Sequence, residues 1–518
     1  MKRLRSYVED RWHEASDGFA KLIDPCTGNA VAEASSAGID FSAALNFARE
    51  TGGTNLRSMT FAQRGEMLSA MSKALYEKRE ELIDLSLKNT GVTRKDAKFD
   101  LDGATFTLSY YGKMGQSLGD RHFLVEDEGD QLGRSPRFWG RHLLVPRAGA
   151  AVHINAFNFP AWGFAEKAAC ALLAGMPVIS KPATSSAWVT ERCMEILVEA
   201  DLLPAGSVSL ICGRTGDLLD LLGEQDVFAF TGSADTALAL RSKQNLLASS
   251  TRVNIEADSL NAAVLAQGVD RDSETWELFL RDVAREMLQK SGQKCTAVRR
   301  IFVPKDELDE VQAALADRLS GCVVGNPTDS SVTMGPLATE RQLKDAIAGI
   351  EKLSAEAKIV VGSGQRVEGV GAEAGSGWFF APTLLRADEA ATAVEIHRHE
   401  VFGPVATLCG YSGEMSQAAE LVGRAGGTLV TSLYVDSPAQ LTDYLMAGGS
   451  TSGRLYVGSE KVAAQLPGSG TTLPAMLHGG PGRAGGGEEL GGKRGMLLYQ
   501  QRVAVTGDRT LLDRSNLS

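Results

Sequence analysis

Residues 150–182 read AAVHINAFNFPAWGFAEKAACALLAGMPVISKP. Ala150–Ile154 is a short apolar run, Trp162–Ala174 has apolar residues at helical spacing, and Met176–Ser180 is apolar again. This order predicts two strands joined by a single helix. Strands connected in this way lie parallel in one sheet, so the stretch predicts an α/β fold.

The same alternation continues toward residue 255. We predict further helices at 187–200, 215–222 and 235–243, and further strands at 207–212, 227–230 and 252–255. Such a pattern indicates a doubly wound sheet, which binds ligands at the carboxyl-terminal edge of its strands. After Asn261–Leu265 the alternation restarts with a long helix, Glu274–Leu288, and a second α/β domain is predicted to end near residue 455.

Other parts of the chain complete the predicted architecture. Residues 55–90 have helical periodicity and predict a helical N-terminal layer. His142–Arg147 is predicted to be an edge strand whose pairing ends at Pro146, and Met496–Val505 is a second strand without a helix partner. We expect these two strands to pair in a small projecting sheet with an edge open to another subunit, and therefore expect a homodimer.

These patterns predict two doubly wound α/β domains and an oligomerisation sheet. The dinucleotide-binding domain is predicted to be 1–135 and 148–258, the catalytic domain 259–495, and the oligomerisation strands 136–147 and 496–518.

The composition is that of a globular protein with 43% hydrophobic and 23% charged residues. Its length of 518 residues suggests roughly two to four domains. A net charge of −11 without a long basic run argues against nucleic acid as a partner. The basic start is followed by Glu9, Asp10 and Arg11, where a signal peptide needs an apolar core. With no uninterrupted apolar run of roughly 18 residues, we expect no membrane segment and a cytoplasmic protein.

The seven cysteines are scattered and have no CxxC spacing. This favours free thiols in a reducing compartment, and we expect no metal site. Cys295 is distinctive because its stretch, Ser291–Thr296, follows the predicted helix 274–288. A cysteine just past a helix among small and polar residues can meet a substrate, but a cysteine in such a setting is more often a small buried hydrophobe.

Two stretches could contact a phosphate. Gly480–Gly485 matches the GxGxxG pattern, but it lies in a glycine-rich loop without the strand and helix that a dinucleotide fingerprint requires. Phe230–Ser233 does lie between a predicted strand and helix: Gly232 permits close approach, and Ser233 can donate to an oxygen at a helix N-terminus. An ordinary helix cap by Ser233 is the alternative. Lys181 ends another strand and supplies a cation on the same edge.

Five stretches resemble, in order, motifs of the aldehyde dehydrogenase superfamily. They are Asn155–Pro160, Lys181–Ala183, Phe230–Ser233, Ser291–Thr296 and Glu400–Pro404. The resemblance covers nearly the whole chain and implies an NAD(P)-dependent enzyme that oxidises an aldehyde to a carboxylic acid.

The resemblance assigns catalytic roles to three residues. Cys295 resembles the nucleophile that forms a thiohemiacetal and, after hydride transfer, a thioester that water hydrolyses. Glu256 resembles the general base for the thiol or the water, although its position alone would also suit a surface acid at a strand end. Asn158 resembles the side-chain donor of the oxyanion hole, with the backbone N–H of Cys295 as the second donor.

The resemblance also implies a cofactor site, in which Glu400 and Phe402 hold the nicotinamide ribose and ring. The cofactor-binding residues that it implies are Phe157, Lys181, Ala183, Thr184, Gly232, Ser233, Glu400 and Phe402. Two departures bear on this site. Ala257 and Asp258 stand where the family has a glycine pair, so the contact of that turn with the nicotinamide is in doubt.

The second departure is Thr184, which replaces the glutamate of NAD-preferring members. A carboxylate there would repel a 2′-phosphate, whereas threonine does not and Lys181 attracts it. We therefore predict NADP as the preferred cofactor, with NAD as the alternative.

Longer strings narrow the resemblance. Ile154–Pro160, Glu256–Asn261 and Leu477–Gly492 resemble a branch that oxidises CoA-thioester semialdehydes in aerobic aromatic degradation. One subgroup, in the phenylacetate pathway, acts on 3-oxo-5,6-dehydrosuberyl-CoA semialdehyde and carries a hydratase domain. The other, in the benzoyl-CoA pathway, acts on 3,4-dehydroadipyl-CoA semialdehyde. No hydratase domain follows residue 518, which favours the second subgroup, but Trp378–Leu385 favours the first.

The glycine-rich loop Gly479–Gly492 is a candidate wall of the substrate tunnel. Arg483 could then lie near a phosphate or the thioester of CoA, and His478 could contact the substrate. A purely structural loop and a hydrogen-bonded structural histidine remain open, and His153 is treated in the same way as His478.

Rival functions are also open. A CoA-acylating dehydrogenase would transfer the acyl group to CoA, but the presence of Glu256 favours water. A general aldehyde dehydrogenase would use an aldehyde without CoA. A non-catalytic binding protein is disfavoured because Cys295, Glu256 and Asn158 are all present.

Overall fold

The computed structural model describes residues 1–465 and 467–514. Within them the strands are β1 (Lys2–Leu4), β2 (Ser6–Val8), β3 (Arg11–His13), β4 (Ala20–Ile23), β5 (Ala30–Ala34), β6 (Leu124–Val125), β7 (Asp130–Gln131), β8 (Phe138–Pro146), β9 (Ala151–Ile154), β10 (Val178–Lys181), β11 (Val208–Leu210), β12 (Val227–Thr231), β13 (Arg252–Glu256), β14 (Ala262–Leu265), β15 (Arg300–Pro304), β16 (Lys358–Val361), β17 (Thr383–Ala387), β18 (Val405–Tyr411), β19 (Thr428–Tyr434), β20 (Ser452–Gly458), β21 (Leu477–Gly479), β22 (Glu488–Leu490) and β23 (Gln500–Asp508).

The α-helices of the same residues are α1 (Phe41–Phe47), α2 (Gly53–Ser58), α3 (Phe61–Glu77), α4 (Arg79–Thr90), α5 (Arg94–Leu118), α6 (Trp162–Ala174), α7 (Ala187–Glu199), α8 (Ala234–Arg241), α9 (Gln244–Ala248), α10 (Glu274–Leu288), α11 (Leu308–Ser320), α12 (Glu340–Leu353), α13 (Met415–Gly423), α14 (Pro438–Gly448), α15 (Lys493–Met496) and α16 (Arg509–Arg514). The helices α2, α3 and α4 confirm the helical layer predicted at 55–90.

The first large sheet has the strand order β13-β12-β9-β10-β11-β2-β3, and its first five strands are parallel. Alternate residues of β10 enter different cores: Val178 packs in the cluster that contains α3, α5 and α6, and Ile179 packs in the cluster that contains α1. Both faces of the sheet are therefore covered, which confirms the predicted doubly wound architecture.

The second large sheet has the order β16-β17-β18-β15-β14-β19-β20, parallel except for β16. One apolar core surrounds it, built from residues between Ala262 and Ala463. This confirms the second α/β unit, whose last strand ends at Gly458, close to the predicted residue 455. No helix within residues 1–465 and 467–514 is long and apolar enough to cross a membrane.

A separate small sheet contains the two strands without helix partners. β8 and β23 pair antiparallel, with Phe138 opposite Asp508 and Pro146 opposite Gln500, so the predicted pairing is confirmed. The prediction that His142–Arg147 is an edge strand was wrong, because β6 and β7 pair with the other side of β8. Pro146 is tolerated since it is the last residue of β8, where its missing N–H interrupts no further pairing.

Two other segments differ from their predictions. The helix predicted at 215–222 is only a 3₁₀ turn at Leu218–Leu221, because Gly216 has a left-handed φ of 49° and Leu222 is already extended. The glycine-rich segment Gly468–Gly492 contains the hairpin β21–β22. Gly480–Gly485 connects these antiparallel strands, so it lacks the strand–helix context of a dinucleotide fingerprint, as predicted.

Candidate active site

A tight reversal of the chain carries Cys295 to the site. After α10, Lys290 and Ser291 have φ values of 53° and 55°, which non-glycine residues adopt rarely. Gly292 is also left-handed, and a Cβ there would lie 2.1 Å from the carbonyl oxygen of Gly403. The Ser291 hydroxyl donates to the carbonyl of Gly335 at 2.8 Å. The position of the thiol is thus fixed by a strained, buried turn.

The structure brings Cys295, Glu256 and His478 together. The Sγ of Cys295 lies 3.7 Å from Nε2 of His478, and the same nitrogen lies 3.2 Å from Oε1 of Glu256. Glu256 is the last residue of β13, as predicted, and Thr231 donates to its Oε2 at 3.4 Å. His478 lies on β21, so the candidate substrate residue of the glycine-rich segment reaches the thiol directly.

Burial and charge determine the protonation of this group. Burial favours the neutral carboxyl, but the adjacent His478 outweighs it and lowers the pKa of Glu256 to about 2. Burial disfavours the imidazolium, but Glu256 outweighs it and raises the pKa of His478. Burial and the Glu256 carboxylate raise the pKa of Cys295 well above its usual range. The thiol therefore needs a base to become a nucleophile at neutral pH.

Asn158 lies on the loop after β9, and its Nδ2 donates to the carbonyl of Gln293 at 3.1 Å. That carbonyl is two residues before the thiol. The backbone N–H of Cys295 has no acceptor among the described residues. Asn158 and Cys295 line the same cavity, and the joint role of this amide and this N–H as an oxyanion hole stays a prediction.

Sequence reasoning missed a buried charged group next to Glu256. The Nζ of Lys167 lies 3.1 Å from Oε2 of Glu489 and 3.3 Å from Oε1 of Glu166. Burial raises the pKa of Glu166 to about 7, and the two carboxylates raise the pKa of Lys167 although burial opposes them. A charged pair within the apolar helix α6 was a signal that could have revealed the group.

Two sets of these atoms could in principle hold a metal ion. Ligand atoms of Glu256, Cys295 and His478 lie within 4.8 Å of one another, as do those of Glu166, Glu256 and Glu489. Their donor types suit a divalent ion. However, carboxylates of both sets already form ion pairs with His478 and Lys167, so we assign neither set to a metal.

Six of the eight predicted cofactor residues lie at the carboxyl edge of the first sheet, whereas Glu400 and Phe402 precede β18 of the second sheet. Lys181 ends β10, and Ala183 and Thr184 follow it directly. Gly232 and Ser233 connect β12 to α8. Phe157, on the loop after β9, meets Phe402 edge to face with ring centroids 5.9 Å apart. These residues come from separate strands, as a dinucleotide site at this edge requires.

The start of α8 shows what Asp258 does. Ser233 is the N-cap residue of α8, but its side chain accepts no backbone N–H: its hydroxyl donates to that of Thr236 at 3.0 Å, so the alternative of a side-chain cap was wrong. The N–H of Ala234 donates instead to Oδ1 of Asp258 at 2.9 Å. Asp258, which stands where the family has a glycine, therefore accepts one of the backbone N–H groups of the predicted phosphate site.

Arg483 lies beside Asp258, with 3.8 Å between Nη2 and Oδ2. It does not line the cavity at Cys295, which is walled by Phe99, Phe159, Trp162 and His478. The contact of Arg483 with CoA stays a prediction, and Asp258 is a competing partner for it.

For His153 the structure favours the interpretation as a structural histidine. Tyr499 is hydrogen-bonded to its Nε2 at 3.1 Å, and burial lowers the pKa of His153 to about 3.

Arg299, which sequence reasoning also missed, supports two predicted cofactor residues. Its Nε lies 3.2 Å from Oε1 of Glu400, and its guanidinium lies 5.3 Å from the ring centroid of Phe402. It also donates to the carbonyl of Gly403 at 2.8 Å. The N–H of Ser259 donates to the second carboxylate oxygen of Glu400. Arg299 thus holds the carboxylate and the ring in fixed positions.

Replacing Arg299 with methionine is expected to raise KM for the nicotinamide cofactor about tenfold or more, because a charge-assisted hydrogen bond contributes about 1.5–3 kcal/mol. Arg299→Lys, which keeps the charge but loses the planar fork, should recover part of this loss. Steady-state kinetics with varied cofactor check it, and Arg318→Met, at an exposed ion pair with Glu277, is the control. An unchanged KM in Arg299→Met would contradict the positioning role.

Comparisons with known proteins place the whole chain beside one family. A model of the aldehyde dehydrogenase family matches residues 12–501. The chain is 43% identical over 479 residues to 3,4-dehydroadipyl-CoA semialdehyde dehydrogenase of Aromatoleum evansii, covering 92% of this chain and 93% of that one.

Two solved structures confirm the predicted fold class. The betaine aldehyde dehydrogenase of Staphylococcus aureus in complex with NAD+ has a TM-score of 0.84 at 23% identity, with 98% of this chain and 95% of that chain covered. Lactaldehyde dehydrogenase of Escherichia coli has a TM-score of 0.84 at 20% identity, with 98% and 99% covered.

Proposed function

Because the chain belongs to the aldehyde dehydrogenase family and is an oxidoreductase acting on aldehydes, we propose that it oxidises a CoA-thioester-linked semialdehyde to the carboxylic acid with NADP. The observation that carries the proposal is the meeting of Cys295, Glu256 and Asn158 at one cavity. A nucleophile, a base and an oxyanion donor are what thiohemiacetal formation and thioester hydrolysis require.

Each of these residues has one proposed task. Sγ of Cys295 attacks the aldehyde carbon, and the amide of Asn158 with the N–H of Cys295 holds the oxygen that becomes negative. The nicotinamide, when bound, accepts the hydride from that carbon and leaves a thioester on Cys295. Glu256, ionised at neutral pH, then takes a proton from the water that attacks the thioester. The presence of this carboxylate favours water over CoA as the acyl acceptor.

The preference for NADP is supported by Lys181 and Thr184. Lys181 forms no ion pair with any residue in 1–465 or 467–514, and burial lowers its pKa. A phosphate beside it would provide the missing counter-charge. Thr184 follows it without the carboxylate that would repel a 2′-phosphate. The residues present therefore fit NADP, with Glu400 and Phe402 at the nicotinamide end.

The substrate class is supported by the relative's name and by the cavity. The Aromatoleum evansii protein is a 3,4-dehydroadipyl-CoA semialdehyde dehydrogenase. In this chain Phe99, Phe159 and Trp162 meet edge to face, with ring centroids 5.4–6.0 Å apart, and wall the cavity with apolar surface. Such a wall suits the hydrocarbon chain of a semialdehyde. We propose 3,4-dehydroadipyl-CoA semialdehyde, with 3-oxo-5,6-dehydrosuberyl-CoA semialdehyde as the second candidate, and a step of aromatic degradation.

An assay that combines two cofactors and two aldehydes tests the proposal. NADPH or NADH formation is measured with each CoA-linked semialdehyde and with the matching free semialdehyde. We expect kcat/KM to be at least about tenfold higher for NADP than for NAD, and at least about tenfold higher for the CoA-linked aldehyde than for the free aldehyde. Each tenfold difference corresponds to about 1.4 kcal/mol. The product should be the acid with or without added free CoA.

Contrary outcomes are distinct. A clear preference for NAD would refute the cofactor assignment alone. Equal use of the free aldehyde would indicate a general aldehyde dehydrogenase, and acyl-CoA formation that depends on free CoA would indicate a CoA-acylating enzyme.

We also propose the domain division predicted from the sequence, with 1–135 and 148–258 binding the dinucleotide and 259–495 carrying Cys295. Strands 136–147 and 496–518 would mediate a homodimer, although 515–518 lie outside the described residues. Phe138 and Val503 expose 47% and 38% of their surfaces on this small sheet, which supports a second copy as its partner.

A further inference from the structure

We propose that His478 is the base that removes the proton from Cys295, and that Glu256 stabilises the imidazolium so formed before it serves the water of the second step. The inference rests on the function proposed above and divides its proton transfers between two residues. His478 then acts on a reacting atom, and its role goes beyond contact with the substrate.

The geometry carries this assignment. His478 lies on the hairpin β21–β22, where it pairs in register with Glu489, and only 4% of its surface is exposed. Its Nε2 lies within reach of both Sγ of Cys295, at 3.7 Å, and Oε1 of Glu256, at 3.2 Å. When neutral at Nε2, the imidazole can accept the thiol proton; once protonated, it can donate to the carboxylate. The ionised Glu256 can also take a proton, but the side-chain contact of Sγ at hydrogen-bond distance is with Nε2 of His478.

The surrounding charges favour an imidazolium. The groups that face His478 come from β13, α6, β22 and the loop after α10; they are Glu256, Glu166, Lys167, Glu489 and Cys295. The three carboxylates outweigh the single ammonium. Burial lowers the pKa of His478, but the carboxylates outweigh burial and raise it.

The thiol side of the pair has its own neighbours. Burial raises the pKa of Cys295, and Glu256, Glu166 and Glu400 raise it further. Arg454 on β20 is also close enough to interact with the thiol. A thiolate here therefore needs a cation in contact, and the protonated His478 provides it.

The proton transfers balance. The proton moves from Sγ to Nε2, and the thiolate forms a C–S bond as the aldehyde π bond becomes an oxyanion. The carbonyl re-forms as the hydride leaves for NADP+, giving the thioester. Water then adds while Glu256 takes one of its protons, and the C–S bond breaks to restore the thiolate beside the imidazolium. Aldehyde, water and NADP+ become carboxylate, NADPH and two protons, which leave to solvent.

Alkylation of the full-length protein by iodoacetamide across pH tests the pair without substrate or cofactor. Peptide mass spectrometry measures Cys295, while the half-buried thiol of Cys322 serves as the internal standard. Above the pKa of His478, the imidazole and the thiol of Cys295 share one proton. The rate of Cys295 alkylation should therefore rise with pH through a midpoint above the ordinary histidine pKa of about 6.5. In His478→Gln the midpoint should rise by more than one pH unit, so that alkylation at neutral pH falls about tenfold or more.

Controls separate this role from a structural one. His142→Gln, at an exposed position of β8, should leave the Cys295 profile unchanged. Cys322 should react alike in all variants; if His478→Gln exposes it, His478→Asn provides the same comparison with a smaller side chain. An unchanged Cys295 profile in a folded variant would overturn the assignment. Failure of the function proposed above would appear separately, as an absence of NADPH formation from CoA-linked semialdehydes.

Discussion

Replacing Cys295 with alanine is expected to lower kcat for NADPH formation by about 10⁴-fold or more, because nucleophile removal costs factors of this order. Without Sγ no thiohemiacetal forms, and this intermediate is the species from which the hydride is transferred. The cavity and the cofactor residues remain, so cofactor binding should persist. Stopped-flow absorbance of NADPH with a CoA-linked semialdehyde, together with cofactor titration, checks both parts.

Cys322→Ala is the matched control, since Cys322 is also partly exposed but does not line the cavity at Cys295. It should keep the activity of the unaltered protein. Cys295→Ser is a second comparison, because a hydroxyl is far harder to ionise than a thiol. Retention of full NADPH production by Cys295→Ala would refute the covalent mechanism.

Replacing Glu256 with glutamine is expected to separate the two chemical steps. The amide cannot take the proton of water, so steady turnover should fall by about 10²–10⁴-fold, the usual contribution of a general base. The first turnover needs no water, and Cys295 and Asn158 are intact. A burst of one NADPH per chain should therefore precede the slow phase. Its rate should fall less than the steady rate, because His478 loses the carboxylate that stabilises its imidazolium but keeps its contact with the thiol.

Stopped-flow measurement of burst amplitude and steady rate tests this separation. Glu277→Gln, at an exposed position of α10, is the control and should show neither effect. Wild-type steady turnover in Glu256→Gln would show that another group activates the water, and Glu166 and Glu489 would be the next candidates because their carboxylates lie within 4.8 Å of that of Glu256.

The residues predicted for the site were those that a strand end or a motif marks locally. Glu256 and Lys181 end parallel strands, and Asn158 follows one, so their convergence follows from the parallel order of the sheet. For His478 the sequence left two interpretations open, contact with the substrate and a structural role. Nothing in the sequence near it indicates that a hairpin folds back onto β13. The backbone contact between Gly487 and Ile255 that positions it joins residues far apart in sequence.

Lys167 and Arg299, which sequence reasoning missed, contact partners that lie far away in the sequence. Lys167 would be an improbable buried charge without Glu489, which lies on a different element more than three hundred residues later. Arg299 starts no motif, and only the fold places it against Glu400 and Phe402. The errors in secondary structure were local: the region 215–222 is apolar enough for a helix, but Gly216 leaves room only for a short turn.

The most direct test of the account is the intact mass of Glu256→Gln, quenched in acid after mixing with NADP and a CoA-linked semialdehyde. The account predicts one acyl adduct per chain, located on Cys295 by peptide mapping and equal in amount to the NADPH burst. NADPH formation without any adduct on Cys295, or with an adduct on a different cysteine, would contradict it.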